Sequence, residues 1–543
     1  MPNTLNSTLR DAAVRWIADD PDADSRAELQ DVLARAMGGE PGRVDELADR
    51  MAGPLEFGTA GLRGPVRAGP NGMNVAVVTR TTAGVAAWLT AHGNAGGLVV
   101  VGRDARHGSA EFATAAAEVL AAAGFRVGVM PGPLPTPILA FAVGHLGAVA
   151  GIQITASHNP PADNGYKLYD ETGGQIVPPS DGEIERASQA APPALSVERE
   201  PGASVIDVRD AYLDKVAALP RGPERAVRVA ATALHGVGAD TLRAAFERAG
   251  FTDLHLVETQ STPDPDFPTV SFPNPEEPGA TDLLLALASE VDADLAIALD
   301  PDADRCALGV HERDGSWRML RGDETGVLLG WHVLSTVDQP DPLVATTIVS
   351  SSMLGEVAKS FGARYAETLT GFKWLVRAGD GLVFAYEEAL GLCVNPDFVR
   401  DKDGIAAATL AAGLAAALKA SGKSVLDVLD ELSTRHGVHL TDQVSLRVTD
   451  LTVRGRLMAG LRSAPPETLG GVNVTCEDLL PDADVLRLSG TGLRVVVRPS
   501  GTEPKLKAYL QITEPVTGSL TEARESAAHK LNALRADVEA LLS

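Results

Sequence analysis

A serine and a histidine follow an apolar run at a point where a strand of a parallel sheet would end. Ser157 and His158 lie in the segment 155–160 (TASHNP), directly after the predicted strand 148–154. In open α/β sheets ligands bind beyond the carboxyl ends of the strands, so this loop is placed to do chemistry. Serine is a weak nucleophile unless a base, a metal or a prior modification activates it, and His158 and Lys167 are near enough in sequence to assist. An ordinary turn is the alternative interpretation, because these are common loop residues.

Three aspartates at alternate positions, Asp300, Asp302 and Asp304, follow the apolar run 295–299. Carboxylates held this close repel one another strongly unless a cation lies between them. Mg²⁺ prefers oxygen ligands and keeps positions open for a phosphate oxygen or water, so the pattern predicts a magnesium site. A calcium-binding EF-hand shares the alternation, but its glycine and distal glutamate are missing after Arg305. A solvated acidic loop is the other alternative, and the buried approach of the preceding strand disfavours it.

Two adjacent carboxylates, Glu387 and Glu388, follow the predicted strand 382–384. They could accept hydrogen bonds from sugar hydroxyls. Acidic residues are also favoured in the first turn of a helix, where they interact with its dipole. On local grounds alone, the pair predicts the start of a helix.

A basic, glycine-containing loop at 498–505 (RPSGTEPK) ends the predicted strand 493–497. Arg498 can bind a phosphate through two parallel hydrogen bonds. Ser500, Thr502 and the backbone amides around Gly501 can surround the same anion. A surface hairpin turn is the alternative interpretation.

Alternating strands and helices must position these loops. Ser109 is predicted to cap a helix over 109–123, and runs of buried strands separated by helices are typical of a parallel sheet with helices on its faces. Strands are predicted at 98–101, 127–130, 148–154, 227–232, 295–299, 343–349 and 382–384, with further helices from about 137 and at 238–249 and 353–361. Proline-rich stretches at 192–201 and 261–278 are predicted to be connections.

The last hundred residues have a different pattern, with strands predicted at 444–448, 472–476 and 493–497 and a long helix at 520–542. A chain of 543 residues is too long for one core, because single cores stop growing near ~250–300 residues. The predicted domains are 1–205, with the serine loop, 206–315, with the aspartates, 316–440, with the glutamate pair, and 441–543, with the basic loop.

The composition restricts the partners. The chain has 47 basic and 72 acidic residues, a formal charge of −25, which opposes binding to nucleic acid or to an anionic membrane. The 3 cysteines fit no disulfide framework and no zinc site, and together with the polar N-terminus they favour a cytoplasmic protein. The longest apolar run, 405–418, is shorter than the ~20 residues that span a bilayer, so a buried helix is predicted. The oligomeric state is left open.

In this order and at this spacing, the four motifs resemble the α-D-phosphohexomutase superfamily, from about residue 55 to the C-terminus. The segments 57–64 (FGTAGLRG), 370–374 (TGFKW) and 400–404 (RDKDG) are similar to the long bacterial phosphoglucomutase/phosphomannomutase branch, which also includes phosphoglucomutase-2, a phosphopentomutase. The resemblance implies an α/β fold of four domains. Three are related mixed α/β domains, and the fourth is a smaller α+β domain related to the TATA-binding-protein fold.

The resemblance also implies a role for each residue. Ser157 would carry a phosphoryl group, and Mg²⁺ would be bound by the three aspartates and an oxygen of the phosphoserine. His158 and Lys167 would transfer protons, and Arg305 would contact the substrate or the phosphoserine. The residues implied in substrate binding are Arg63, Lys373, Glu387, Arg498, Ser500, Gly501, Thr502 and Lys505.

Two departures from the family pattern stand out. Ala389 replaces a serine that many relatives carry in the sugar-binding loop, which removes one hydroxyl and leaves the preferred sugar open. Pro301 and Ala303 replace glycines in the metal loop, and we expect their backbone angles to need no glycine.

The implied activity is a phosphotransfer within one sugar. A hexose 1-phosphate and a hexose 6-phosphate, of glucose or mannose, would interconvert through the phosphoserine, with a sugar 1,6-bisphosphate as intermediate and primer. The alternative is a phosphopentomutase acting on ribose or deoxyribose 1-phosphate. A non-catalytic sugar-phosphate sensor and a phosphatase using the same phosphoserine are two further alternatives. In each case the expected partner is a small sugar phosphate.

Overall fold

The computed structural model describes residues 5–58, 61–447, 451–499 and 505–542. The chain packs as two compact units. The first comprises Met1–Gly309 and Asn395–Gly413, and the second comprises Val310–Val394 and Leu414–Ser543.

Three helices open the first unit: α1 (Ser7–Asp19), α2 (Ala23–Met37) and α3 (Arg43–Arg50). Asn6 and Asp22 cap the first two, each accepting a hydrogen bond from a backbone amide of the first turn. The helices pack around a small apolar core that includes Leu29 and Leu47.

The first sheet has six strands in the order β1-β5-β4-β2-β3-β6. Its elements are β1 (Leu62–Pro65), α4 (Val75–Ala91), β2 (Leu98–Arg103), α5 (Ser109–Ala122), β3 (Arg126–Pro133), α6 (Thr136–Leu146), β4 (Ala150–Ile154), β5 (Asp163–Asp170), α7 (Ser180–Ala190) and β6 (Ser204–Val205). The strands β4, β2, β3 and β6 are parallel, whereas β5 is antiparallel to both β4 and β1. Every residue of β4 is buried, and the serine loop leaves its carboxyl end.

A second sheet has five strands in the order β11-β10-β9-β7-β8, with β11 at Trp317–Met319. Its elements are α8 (Arg209–Ala217), β7 (Val229–Thr232), α9 (Gly238–Ala249), β8 (Leu254–Leu256), α10 (Asp282–Glu290), β9 (Leu295–Leu299) and β10 (Cys306–His311). The fully buried β9 ends directly before the aspartate loop, and β10 returns antiparallel to it.

The second unit contains a sheet in the order β13-β12-β14-β15. Its elements are α11 (Gly322–Thr336), β12 (Leu343–Thr347), α12 (Met353–Ser360), β13 (Arg364–Thr368), α13 (Phe372–Leu375), β14 (Leu382–Glu387), β15 (Gly391–Cys393), α14 (Gly404–Ala420), which begins in the first unit, and α15 (Val425–His436). The strand β12 is parallel to β13 and β14, and β14 forms an antiparallel hairpin with β15.

An antiparallel sheet in the order β16-β22-β21-β20-β19 completes the second unit. Its elements are β16 (Val438–Arg447), α16 (Leu451–Ser463), β17 (Thr468–Leu469), β18 (Val472–Asn473), β19 (Thr475–Asp478), β20 (Leu486–Gly490), β21 (Leu493–Pro499), β22 (Lys505–Glu514) and α17 (Leu520–Leu542). The apolar face of α17 packs on this sheet, with Leu534 and Val538 fully buried.

The predicted alternation of strands and helices is confirmed, and the stretch 261–278 contains no strand or helix, as expected for a connection. Two local predictions are wrong. Glu387 and Glu388 do not start a helix, because Glu387 ends β14 and the chain turns back into β15. Ser109 does not cap α5: Gly108 occupies that position, and the buried Ser109 hydroxyl donates instead to Asp104 at 2.6 Å.

The apolar run 405–418 lies in α14, and its leucines are buried as predicted. Within the described part of the chain, no single helix is long and apolar enough to cross a membrane, and only the pair α14 and α15, bent by 89°, passes that test by length and composition together.

Candidate active site

Ser157 sits in the loop between β4 and β5 and is almost fully buried. Its hydroxyl donates a hydrogen bond of 2.8 Å to Oδ2 of Asp300. Its backbone has a φ of +54°, a left-handed conformation that is costly for any residue but glycine. The Ser157 amide donates to the Thr155 hydroxyl at 2.9 Å, which helps to fix this turn. The structure therefore brings the candidate nucleophile and the aspartate loop together.

The three aspartates form a buried cluster. Asp300, Asp302 and Asp304 are each 0% exposed, and one carboxylate oxygen from each lies within 4.8 Å of the others. Lys167 Nζ donates to Oδ2 of both Asp302 and Asp304 at 2.7 Å. The Oδ1 atoms of these two aspartates have no hydrogen-bond partner among the described residues. Buried carboxylate oxygens without donors are a fitting ligand set for a hard divalent cation such as Mg²⁺.

The charges around the cluster set its protonation. Burial and the charges of Asp302 and Asp304 raise the pKa of Asp300 well above its usual range. Burial and Asp304 also act to raise the pKa of Asp302, but the ion pair with Lys167 outweighs them and the pKa is lowered. Burial opposes the ionisation of Asp304 too, yet the cations Lys167, Lys402 and Arg305 hold its pKa below the usual range.

Contacts from three other segments fix the aspartate loop. Thr136, the first residue of α6, donates to Oδ2 of Asp302 at 2.5 Å, and its amide donates to the Asp302 carbonyl at 2.9 Å. Gly236 packs so closely that a Cβ would lie 2.3 Å from the Cα of Pro301. Gly404 donates to the Ala303 carbonyl at 3.2 Å, and a Cβ there would lie 2.7 Å from that oxygen.

The expectation that the metal loop needs no glycine is wrong at Ala303. This residue has a φ of +54°, in the left-handed region where a Cβ is unfavourable. The surrounding contacts hold the conformation, and the carboxylates on either side of Ala303 still converge.

His158, Arg305 and Arg63 flank the cluster. His158 Nδ1 lies 3.2 Å from the Ser157 hydroxyl, and burial followed by the charges of Arg305 and Arg63 lowers the pKa of this histidine well below 6.5. Arg305 donates its amide to Oδ1 of Asp300 at 3.0 Å. Arg63 donates to Oδ1 of Asn159 at 3.2 Å, in the same loop as the serine. All the residues predicted for catalysis thus lie in the first unit around one cluster.

Two charged residues that the sequence interpretation did not assign belong to this cluster. Lys402 Nζ lies 3.3 Å from Oδ2 of Asp304 and 3.2 Å from Asp401. Arg106 binds the backbone of the serine loop. Lys402 lies in the segment 400–404 that the sequence analysis names, and Arg106 lies in the polar loop that follows β2, which neighbours β4 in the sheet.

Apart from Arg63, the residues predicted to bind the substrate belong to the second unit. Glu387 ends β14, Lys373 lies in α13 and Lys505 begins β22. Arg498 in β21 donates to the Thr370 hydroxyl at 3.1 Å, and Thr370 lies two residues before α13, which carries Lys373. Ser500, Gly501 and Thr502 lie outside the described residues.

Glu388 is half-buried beside two hydroxyls. The Thr347 and Ser350 hydroxyls donate to its Oε2 at 3.2 and 3.1 Å. Burial, with the nearby charges of Glu387 and Asp323, raises the pKa of Glu388 to about 7. This carboxyl therefore titrates close to neutral pH.

The chain matches three family models in succession. These are phosphoglucomutase/phosphomannomutase α/β/α domain I at residues 54–193, domain II at residues 210–315 and domain III at residues 321–436. Together they cover well over half of the chain.

Known proteins are similar over most of their length. A Haemophilus influenzae protein named probable phosphomannomutase is 42% identical over 452 residues, which cover 81% of this chain and 93% of that protein. The human phosphopentomutase is 33% identical over 537 residues, 87% of each chain. A solved phosphoglucomutase/phosphomannomutase family protein from Burkholderia thailandensis has the same fold, with a TM-score of 0.69 at 22% identity over 89% of this chain and 97% of that one.

We expect Asp302→Asn to weaken cation binding without unfolding the protein. The variant removes one anionic ligand, while the carbonyl oxygen of the new amide side chain could still accept from Thr136. A cation that binds the native state raises the melting temperature by mass action, so millimolar Mg²⁺ should stabilise the wild type and have little effect on the variant. A thermal scan with and without Mg²⁺ measures both. Equal Mg²⁺-dependent shifts in the two proteins would show that the triplet is not the cation site.

We expect Glu388→Gln to remove a pH dependence of stability. Because the folded-state pKa is near 7 and the ordinary value is 4.5, the folded protein holds an extra proton between these pH values, and the wild type loses stability as pH rises through this window. Between these pH values, the difference in free energy of unfolding between the variant and the wild type should change by up to ~1.4 kcal/mol per pH unit. Unfolding at pH 5, 6, 7 and 8 measures the gap, with Glu356→Gln on the exposed side of α12 as control. Parallel pH profiles for Glu388→Gln and the wild type would contradict the assignment.

Proposed function

Because the chain belongs to the phosphoglucomutase/phosphomannomutase family of the α-D-phosphohexomutase superfamily, we propose that its serine loop and aspartate cluster catalyse the interconversion of hexose 1-phosphate and hexose 6-phosphate. The chain is an isomerase of the phosphomutase class with the family's α/β domains and a C-terminal β-rich domain. We set its domain limits at 1–205, 206–315, 316–440 and 441–543. The preferred sugars are glucose, mannose or both.

One observation carries the proposal: the Ser157 hydroxyl lies 2.8 Å from Asp300, beside a buried carboxylate cluster. A phosphoryl group on Ser157 would therefore meet cation ligands and positive side chains at once. A sensor that only binds sugar phosphate would not need a strained, buried serine in this place.

The aspartate cluster fits Mg²⁺, held by Asp300, Asp302 and Asp304. When bound, this ion would supply a positive charge that stabilises the oxygens of the transferring phosphoryl group. Arg305, the next residue in the chain, adds a guanidinium charge for the same oxygens. The burial of Ser157 excludes water, which would otherwise hydrolyse the phosphoserine.

The protonation states favour His158 over Lys167 as the group that accepts the proton of the sugar hydroxyl. Desolvation acts to lower the pKa of Lys167, but its ion pairs with Asp302 and Asp304 outweigh this and raise the pKa, so the amine keeps its proton. His158 is neutral at physiological pH and lies 3.2 Å from the serine oxygen. The imidazolium then gives this proton to the serine oxygen that leaves phosphorus, and in the second transfer the serine proton passes through His158 to the departing sugar oxygen.

The reaction needs two transfers. Phosphoserine 157 gives its phosphoryl group to the free hydroxyl of a sugar monophosphate, which yields a sugar 1,6-bisphosphate and a free serine. The bisphosphate then presents its other phosphate, and Ser157 takes that group. We assign the phosphate that is not reacting to Arg498, Ser500, Gly501, Thr502 and Lys505, and the sugar hydroxyls to Glu387 and Lys373, with Arg63 as a further substrate contact. A sugar 1,6-bisphosphate would also serve as primer.

A phosphopentomutase is the second candidate. The human phosphopentomutase is 33% identical to the chain, and Ala389 lacks a hydroxyl in the loop assigned to the sugar. The 42% identity to the Haemophilus influenzae protein favours the hexose assignment.

We expect Ser157→Ala to abolish mutase turnover even with saturating glucose 1,6-bisphosphate, because the variant lacks the oxygen that carries the phosphoryl group between the two transfers. A coupled assay for glucose 6-phosphate measures this, and phosphoserine mass spectrometry should find the modification at residue 157 of the wild type alone. Thr155→Ser, which keeps the hydroxyl that accepts from the Ser157 amide, is a control that should stay active. Turnover of Ser157→Ala near that of the wild type would overturn the proposal.

We expect kcat/KM to be higher for glucose 1-phosphate or mannose 1-phosphate than for ribose 1-phosphate in one primed assay with Mg²⁺. The reverse order would establish the phosphopentomutase instead. Release of inorganic phosphate in step with loss of substrate would identify a phosphatase. Ala389→Ser should shift the ratio towards hexoses, because the restored hydroxyl can bind one more sugar oxygen.

A further inference from the structure

The guanidinium of Arg106 is enclosed by the backbone of the serine loop. Its Nη2 donates to the carbonyls of Ser157 and Asn159, each at 2.6 Å. Its Nη1 donates to the carbonyls of Pro160 and Asp163, at 2.8 and 3.1 Å. One side chain therefore binds four carbonyls that span the whole turn from the serine to the start of β5.

Contacts on its other sides hold Arg106 in place. Its amide donates to Oδ1 of Asp104 at 3.0 Å, and its Nε lies 3.4 Å from the other carboxylate oxygen. Asp104 is fixed in turn by the Ser109 hydroxyl at 2.6 Å. The ring of Phe267, from the connection before α10, lies against the guanidinium with 4.9 Å between the Arg106 Cζ and the ring centroid, a cation–π contact.

We infer that Arg106 is a positioning residue for the phosphoserine, which it holds in the left-handed turn that aims the serine oxygen at the aspartate cluster. The inference rests on the proposed function and adds to it the group that maintains its geometry. A serine with a φ of +54° returns to an extended or right-handed conformation unless its surroundings determine otherwise. The four hydrogen bonds from Arg106 fix this conformation, because all four carbonyls must point towards the guanidinium when the turn is closed.

Only arginine can make this set of contacts. The guanidinium is planar and offers five donors in fixed directions, whereas a lysine has one flexible ammonium group. Arg106→Lys keeps the charge and leaves some of the four carbonyls without a donor. The serine should then move relative to the cluster, and a displacement of about 1 Å at a reacting atom can cost about 100-fold in rate.

The test is Arg106→Lys in the full chain, assayed with Mg²⁺ and glucose 1,6-bisphosphate. We expect kcat to fall by about 100-fold, with KM for glucose 1-phosphate changed by less than about threefold, since an interaction needed only for the transfer step affects kcat. The rate at which the bisphosphate phosphorylates Ser157 should fall by the same factor. Amide hydrogen exchange should become faster in residues 157–163 and stay unchanged in β4.

Arg80→Lys is the matched control. Arg80 in α4 also donates to backbone carbonyls, those of Gln189 and Ala191 at 3.2 and 3.3 Å, but at the end of α7 rather than at the serine loop. This variant should keep wild-type kcat. Phe267→Leu removes the buried ring beside the guanidinium and keeps an apolar side chain there, and it should lower kcat by roughly threefold with the same local increase in exchange.

Wild-type kcat and wild-type exchange in Arg106→Lys would overturn the inference. If Arg106→Lys does not fold, the test is amide hydrogen exchange in Phe267→Leu. Faster exchange confined to the serine loop supports the inference, and unchanged exchange contradicts it. A wild-type protein without mutase turnover would refute the proposed function instead, and the exchange measurements would still report whether Arg106 holds the loop.

Discussion

Mutual repulsion among three buried carboxylates is the constraint on which the candidate site depends. Asp300, Asp302 and Asp304 are fully buried, and in a low-dielectric interior such a cluster is unstable without opposite charge. Lys167 neutralises part of that charge, and the charges of Asp302 and Asp304 add to burial in raising the pKa of Asp300. A divalent cation bound between these carboxylates would therefore reduce their repulsion. Ser157 lies next to this cluster.

Two strained turns bring the nucleophile and the carboxylates together. Ser157 and Ala303 both have φ values of +54°, although neither is a glycine. Each follows a fully buried strand, β4 or β9, that fixes where the turn begins. Neighbouring segments then determine the turns: Arg106 binds the first through its carbonyls, and Gly404 packs on the second. Other non-glycine residues also have positive φ values, but at Ser157 and Ala303 the strain lies in the loops assigned to the chemistry, where contacts from neighbouring segments maintain it.

The sequence predicts what local patterns determine. The apolar runs before the serine and the aspartates correctly predicted that both loops follow buried strands. The alternation of Asp300, Asp302 and Asp304 indicated the candidate cation site. Contacts between distant segments were not predictable, because no local pattern specifies that Thr136 binds Asp302 or that Arg106 binds the serine loop. The pair Glu387 and Glu388 was misassigned for a related reason: the hairpin with β15, a tertiary feature, overrides the helical preference of acidic residues.

The local charge arrangement also explains how an acidic protein can act on an anionic substrate. The chain carries a net charge of −25, yet Arg63, Lys167, Arg305 and Lys402 are concentrated around one cluster. The same cations have two opposite effects on neighbouring groups. They keep Asp302 and Asp304 ionised, and two of them, Arg305 and Arg63, add to burial in keeping His158 neutral. Groups whose pKa values are pushed apart in this way can serve as a cation ligand and a proton acceptor at the same pH, which phosphoryl transfer to a hydroxyl requires.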